Sequence, residues 1–159
     1  MRLSGIVTLA ISFWHVTVDV SQARDAYFRS ATTKKDALFF ELLLDSVRED
    51  AVPVLVCYKG AAEMLKANNA TNPINKFTCF NRGKNLIQQS IARDSSCIES
   101  HFIRYSIQRN LPGFLRYDKN IHQDSILIVK GLDNMTDRDL KNKITAYFNQ
   151  SKAHTKNEQ

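Results

Sequence analysis

Apolar residues recur every three to four positions along most of this chain, and no stretch keeps the strict alternation of a β-strand. Residues 34–50 follow this pattern behind Asp36, which predicts an amphipathic helix with Asp36 as its N-cap. Pro53 opens a second helical pattern and the Asn72-Pro73 pair opens a third. Proline suits the first turn of a helix because the backbone N–H that it lacks has no partner there.

Further along the chain the pattern predicts helices over residues 98–110, 120–131 and from Thr136 onward. Asn120 and Gln123 predict a capping box at the start of the second of these helices, and Gly131 predicts a left-handed C-cap at its end. Short connections between successive helices favour antiparallel neighbours. We therefore predict an all-α fold of five to seven helices in stacked antiparallel hairpins, and we expect the small residues at 60–62 to allow a close helix contact.

The N-terminal residues have the layout of a secretory signal peptide. Arg2 supplies a basic start, residues 6–18 an apolar run, and Ser21-Gln22-Ala23 a small-residue cleavage site. The apolar run is shorter than the ~20 residues that a membrane-spanning helix needs. We predict a signal peptide at residues 1–23, a single domain at 24–150 and a polar, disordered tail at 151–159. The mature chain would be periplasmic or secreted, with no integral membrane segment.

Residues 99–120, ESHFIRYSIQRNLPGFLRYDKN, hold the densest mixture of charged and aromatic side chains. On a helical wheel His101, Arg104 and Gln108 fall on a narrow polar strip outside a wide apolar arc. The strip is either a solvated helix face or, together with Tyr117, a binding surface. In the second case the Arg104 guanidinium would grip a carboxylate or phosphate.

Glu99 differs from these residues because it falls inside the apolar arc. A carboxylate buried in a first helical turn usually has a cationic or hydrogen-bonding partner. We predict a structural ion pair between Glu99 and Lys84 rather than a catalytic carboxylate. After this helix the chain turns a corner, which is either packed, as we favour, or an exposed aromatic platform. The corner consists of Leu111, Pro112, Gly113 and Phe114.

The three cysteines, Cys57, Cys79 and Cys97, lack the spacing of metal ligands, so we predict no metal site and no cofactor. We favour three buried thiols that act as small hydrophobic groups. The alternative is one disulfide, for which Cys57 and Cys97 fit best because both should lie at the same end of a helical hairpin.

The net charge of +6 originates in the middle third of the chain. Residues 59–119 carry ten basic and four acidic side chains, whereas the segments on either side nearly balance. Such an excess indicates either a solvated helical surface or a face that binds an anionic surface. The basic face would comprise Lys59, Lys66, Arg82, Lys84, Arg93, Arg104, Arg109 and Arg116.

The runs YKGAAEMLKA and NPINKFTCFNRGKNLIQQSIARD, and above all FIRYSIQRNLPGFLRYDKNI, resemble a family of small proteins of Bacteroidota that carry signal peptides and have no assigned activity. The resemblance starts near Pro53 and implies export and a helical fold. Its members carry Arg where this chain has His101 and Gly where it has Arg116. The junction from SIARD to CIESHFIRY is also similar to the junction between two tetratricopeptide repeats. This resemblance implies a tetratricopeptide-like arrangement of the helical hairpins. The alternative architecture is an irregular helical bundle.

No phosphate-binding loop, nucleophile elbow, zinc-protease motif or pair of catalytic carboxylates occurs in the sequence. We therefore predict a non-enzymatic module that binds a protein or peptide partner through a groove between stacked helices. One alternative is a binder of anionic surfaces. The other is a small envelope enzyme, whose pocket would gather His101, Arg104, Tyr117, His122 and Asp124.

Overall fold

The computed structural model describes the backbone of residues 18–156 and the side chains of residues 18–150. This part of the chain contains seven α-helices, a 3₁₀ turn at Gly113–Leu115 and no β-strand, so the predicted all-α class is confirmed. The helices are α1 (Val20–Arg29), α2 (Lys34–Asp45), α3 (Pro53–Asn69), α4 (Pro73–Arg93), α5 (Ile98–Asn110), α6 (Ile121–Asp133) and α7 (Arg138–Lys156).

The first helix starts before the predicted domain boundary at residue 24. Asp19 is its N-cap and forms a capping box with Gln22. Val20 packs against the apolar core, and Ala23 has no exposed surface. The last residues of the predicted signal peptide thus form the first turn of α1, while its residues 1–17 lie outside the described residues.

The last helix extends further than the sequence predicted. The backbone of α7 stays helical to Lys156, within the segment 151–159 that we expected to be disordered. Residues 157–159 lie outside the described part of the chain. Among the residues that the structure describes, no helix combines the length and the apolar composition needed to cross a membrane.

Proline and polar caps set the starts of α2, α3 and α4. Pro53 and Pro73 occupy the first turns of α3 and α4, and the Asn72 side chain caps α4, all as predicted. The N-cap of α2 is Thr33, not Asp36. The Thr33 hydroxyl accepts a hydrogen bond from the Asp36 backbone N–H at 3.1 Å, so Asp36 lies in the first turn.

Helix α6 begins directly after Asn120, as predicted, but the predicted capping box and the predicted C-cap at Gly131 are wrong. Asn120 precedes the helix, but its side chain makes no capping hydrogen bond, so there is no capping box with Gln123. Gly131 lies inside the helix, which continues to Asp133. A Cβ atom on Gly131 would lie 2.6 Å from Ile98 Cδ1. This glycine therefore serves the contact between α5 and α6 rather than a helix end.

Two glycines allow α3 and α4 to approach closely, as the small residues at 60–62 predicted. A Cβ atom on Gly60 would lie 2.8 Å from the Gly83 carbonyl oxygen and 2.7 Å from Ile87 Cγ1. A Cβ atom on Gly83 would lie 2.7 Å from the Gly60 carbonyl oxygen. Because a backbone carbonyl oxygen obstructs each of the two positions, a change of rotamer alone cannot accommodate a larger residue there.

Helix α5 lies between two apolar clusters and contacts α3, α4 and α6. The α3 cluster contains Tyr58 and receives Ile103 from α5. The α7 cluster joins Phe102 of α5 to Ile128 of α6 and Ile144 of α7. A helix packed on two sides is what the wide apolar arc over residues 98–110 indicated, and its observed bounds are the predicted ones.

Candidate functional site

The polar strip on α5 is buried. His101, Arg104 and Gln108 are only 4%, 8% and 3% exposed. Helix α6 packs on α5 and places the fully buried Asp124 against His101 and Arg104. The expectation of an outward-facing strip is therefore wrong, because its charged members find their counter-charge on a neighbouring helix instead of in solvent.

Asp124 is the centre of a buried charge cluster. Arg104 binds it with two hydrogen bonds, from Nε to Oδ2 and from Nη2 to Oδ1, both of 2.7 Å. His101 Nδ1 lies 2.8 Å from Oδ1, and its Nε2 lies 3.0 Å from the Ser95 carbonyl oxygen. Burial acts to raise the pKa of Asp124, but the hydrogen bonds and charges of Arg104 and His101 outweigh it and lower that pKa.

The two ring nitrogens of His101 both face acceptors. The ionised Asp124 carboxylate and the Ser95 carbonyl can only accept hydrogen bonds, so both nitrogens must donate. The hydrogen bond to Asp124 raises the pKa of His101 above its ordinary value, and the effect exceeds the opposing one of burial. The geometry thus favours an imidazolium ion, which serves the packing of α5 on α6.

Glu99 is buried as predicted, but its partner is not Lys84. Arg24 of α1 donates to it from Nε at 2.7 Å and from Nη2 at 3.0 Å, and the Tyr58 hydroxyl donates to Oε1 at 2.6 Å. Burial, followed by the charge of Glu99, raises the pKa of Tyr58 well above its usual range. The sequence interpretation missed Arg24 as the partner because it predicted no helix around residue 24.

Lys84 lies instead 5.7 Å from the ring centroid of Tyr117, which is 6% exposed and packs edge-on against Phe80. Burial raises the pKa of Tyr117 above its usual range. The Tyr117 hydroxyl and both amide atoms of Gln108 are buried side-chain atoms without a hydrogen-bond partner. Tyr117 and Gln108 therefore offer no accessible surface to a macromolecular partner.

The corner after α5 combines the two alternatives left open by the sequence. Leu111 is half-buried and packs against the α3 cluster, as expected of a packed corner. Pro112 and Gly113 are exposed, and Phe114 is 81% exposed. Arg116 then reverses the chain with φ 48° and ψ 41°, the left-handed region that glycine adopts more readily.

Three of the five residues suggested for an enzymatic pocket form a cluster of their own. His101, Arg104 and Asp124 bind one another, so both carboxylate oxygens of Asp124 are occupied. His122 is exposed on α6. The Asp124 carboxylate is therefore engaged by Arg104 and His101 and is not a free general base.

Most of the predicted basic face is used inside the molecule. Lys59 and Arg104 are buried, and Lys59 donates to the backbone carbonyls of Asp45, at 3.0 Å, and Val47 at the end of α2. Lys66 and Arg82 form ion pairs with carboxylates, Arg93 donates to backbone carbonyl oxygens, and Lys84 lies over an aromatic ring. Arg109 and Arg116 are the two of these eight residues whose side chains are exposed with no ion pair, no hydrogen bond to the protein and no ring contact in the described part of the chain.

An open groove lies between α1, α2, α3, α5 and α7. Its volume of about 570 Å³ falls within the range of ligand pockets. None of the described residues that line it is charged. We call it the aromatic groove, and its main apolar side chains are Tyr27, Phe28, Phe40, Leu65, Phe102 and Tyr147.

Polar atoms in the aromatic groove are hydroxyls and amides. The Tyr27 hydroxyl lies 2.7 Å from Ser106 Oγ, and Asn110 Nδ2 donates to the Tyr147 hydroxyl at 3.2 Å. Burial raises the pKa of Tyr27 above its usual range, so its hydroxyl stays neutral. The groove is therefore an uncharged site with a few neutral donors and acceptors.

The sequence interpretation missed most of this groove. Tyr27 and Phe28 belong to α1, which overlaps the signal-peptide pattern and was not predicted as a helix. The capping box of Asp19 and Gln22 is the signal that could have revealed it. Without α1, one wall of the groove has no place in the predicted fold.

No protein-family model, curated protein or solved structure matches this chain. The resemblances to a family of Bacteroidota and to tetratricopeptide repeats therefore stay predictions.

Proposed function

We propose that this protein is a non-enzymatic, exported module that binds an uncharged, apolar segment of a protein or peptide partner in the aromatic groove. The observation that carries the proposal is the lining of the groove, which consists of aromatic walls and of uncharged side chains among the residues that the structure describes. A charged ligand group would lose its hydration there without gaining a counter-charge. An apolar side chain would instead gain the free energy of burial against rings.

The walls of the groove are held in place before any ligand arrives. The Tyr27 ring packs against Phe40 at 5.7 Å and against Tyr58 at 5.6 Å between ring centroids. Phe28 stacks on Phe102 at 5.8 Å. Rings that are already fixed lose little conformational entropy on binding, which favours affinity.

The polar groups of the groove suit a peptide backbone. The exposed amides of Asn68 and Gln150 each carry donors and an acceptor. They can pair with backbone C=O and N–H groups of an extended ligand while its side chains occupy the aromatic walls. Neutral amides provide such pairing without selecting for ligand charge, which agrees with the uncharged lining.

Export is part of the proposal because of residues 1–23, whose basic start, apolar run and small-residue site form a signal-peptide pattern. Fractionation of cells that express the full chain, with mass measurement of the product, tests it. An unprocessed chain that stays in the cytoplasm would contradict export without touching the groove.

The binding test uses a carboxylate placed at the groove. Ala31 is exposed and lines the groove, so Ala31→Asp should not disturb the core. We expect the full chain to bind fluorescent, uncharged peptides rich in Phe and Leu, and Ala31→Asp to weaken this binding at least about tenfold, since the new charge must be desolvated.

The matched control is Ala92→Asp, an exposed position on α4 outside the groove. It should bind the peptides as the wild type does. Equal binding by Ala31→Asp, or a preference for charged over uncharged peptides, would refute the proposed site.

A further inference from the structure

Two cysteines that are far apart in sequence meet at one serine. Cys57 of α3 is fully buried, and its thiol donates to the Ser100 carbonyl oxygen at 3.7 Å. Cys97, the N-cap of α5, is half-buried, and its sulfur accepts a hydrogen bond from Ser100 Oγ at 3.4 Å. Both sulfurs thus hydrogen-bond to Ser100, Cys57 to its carbonyl oxygen and Cys97 to its hydroxyl, at the contact between α3 and α5.

We propose that Cys57 and Cys97 are a dithiol that a disulfide oxidant converts into an intramolecular disulfide joining α3 to α5. The proposal concerns covalent modification of the fold and does not depend on the aromatic groove. An exported protein meets an oxidising compartment, where such a bond persists.

The third cysteine is excluded by its place on α4. Ser90 Oγ lies 3.3 Å from Ser100 Oγ, which fixes Ser90 next to the two thiols. Cys79 precedes Ser90 on the same helix by three turns, roughly 16 Å along the axis at 1.5 Å per residue. A disulfide cannot span that distance.

The exposures of the two sulfurs set the order of the steps. Cys97, which solvent reaches, loses its proton to water, and its thiolate attacks a sulfur of the oxidant. This forms a mixed disulfide and releases the first oxidant half as a thiolate. Burial raises the pKa of Cys57 to about 12, so its thiol reacts second.

In the second step the departing thiolate or water takes the Cys57 proton, and the Cys57 sulfur attacks the Cys97 sulfur. The protein disulfide forms and the second oxidant half leaves as a thiol. Two protein thiols and one oxidant disulfide become one protein disulfide and two small thiols, so atoms and electrons balance.

The test exposes the reduced full chain to oxidised glutathione and then counts free thiols in denaturant. We expect the count to fall from three to one, and a digest without reductant to contain the Cys57 peptide joined to the Cys97 peptide. The melting temperature should rise by roughly 10 °C and return on reduction, since the new bond restricts the unfolded chain.

The control variants separate the pair from the third thiol. Cys79→Ala should fall from two free thiols to none, whereas Cys97→Ala should keep both of its thiols or carry glutathione alone. Cys97 is half-buried, so its replacement preserves the fold, and circular dichroism verifies this. Three free thiols after oxidation, a linked peptide that contains Cys79, or stable glutathione on Cys97 in the wild type would overturn the proposal.

Discussion

His101 gives the stability of this protein a defined dependence on pH. Its hydrogen bond to Asp124 raises the pKa in the folded state above the value of about 6.5 expected for the unfolded chain. A group with a raised folded pKa contributes stability that is fully present below the unfolded pKa and is lost as pH rises through the folded pKa. Above that pH one ring nitrogen becomes an acceptor and faces an acceptor oxygen.

We therefore expect the free energy of unfolding of the wild type to fall, as pH rises above about 6.5, by more than that of His101→Gln. Asp124 adds no slope in this window, because its lowered pKa keeps it ionised. Urea unfolding at several pH values measures the difference. Parallel curves for the two proteins would mean that folding does not raise the pKa of His101.

Arg116 adopts a backbone conformation that is unfavourable for a residue other than glycine. The left-handed backbone at this position costs roughly 1–2 kcal/mol for a residue with a Cβ atom, and glycine avoids this at some cost in chain entropy. Arg116→Gly should stabilise the protein by about 0.5–1 kcal/mol, as judged by chemical denaturation. The same replacement at the exposed, helical Arg109 should destabilise it by a similar amount, and a loss at both positions would contradict this reading of Arg116.

At the level of elements, the contact between α3 and α4 depends on the absence of a Cβ atom. Gly83→Ala would place a methyl group 2.7 Å from the Gly60 carbonyl oxygen, so the two helices must separate. We expect a loss of about 1–3 kcal/mol in thermal or urea unfolding, despite the better helix propensity of alanine. Gly113→Ala is the control. A Cβ atom on Gly113 would meet no neighbouring atom within 4 Å, and the φ angle of Gly113 is not positive. The stability of the Gly113→Ala variant should therefore stay near that of the wild type.

Helices with strong local sequence signals could be predicted, whereas the side-chain partners that one helix supplies to another could not. Pro53, the Asn72-Pro73 pair and the apolar periodicity predicted α3, α4 and the bounds of α5. The wheel of α5 then assigned its polar strip to solvent, because a wheel carries no information on which charges a neighbouring helix supplies. Burial of Arg104 becomes favourable only once Asp124 lies opposite it, and that requires the tertiary packing of α6.

The candidate site shows the same limit at the level of the whole molecule. The sequence predicted a groove between helices but assigned function to residues 101–117, where side chains close in sequence look like a cluster. The aromatic groove instead combines residues from five helices, and one of them, α1, was hidden under the signal-peptide pattern. Surfaces formed by distant segments leave no periodic trace in any one segment.

The net charge of +6 is a property of the whole chain that the fold makes less available than the sequence suggests. The number of cations that bind a polyanion sets the salt dependence, with a log–log slope of about −0.9 per neutralised phosphate on duplex DNA. Eight free basic residues would give a slope of about −7, whereas Arg109 and Arg116 alone would give about −2. We expect weak binding of duplex DNA with the shallower slope in anisotropy titrations from 50 to 200 mM salt. Replacing both arginines with alanine should flatten it further, and a slope near −7, or one that the double replacement leaves unchanged, would show that other cations of the chain bind the anion.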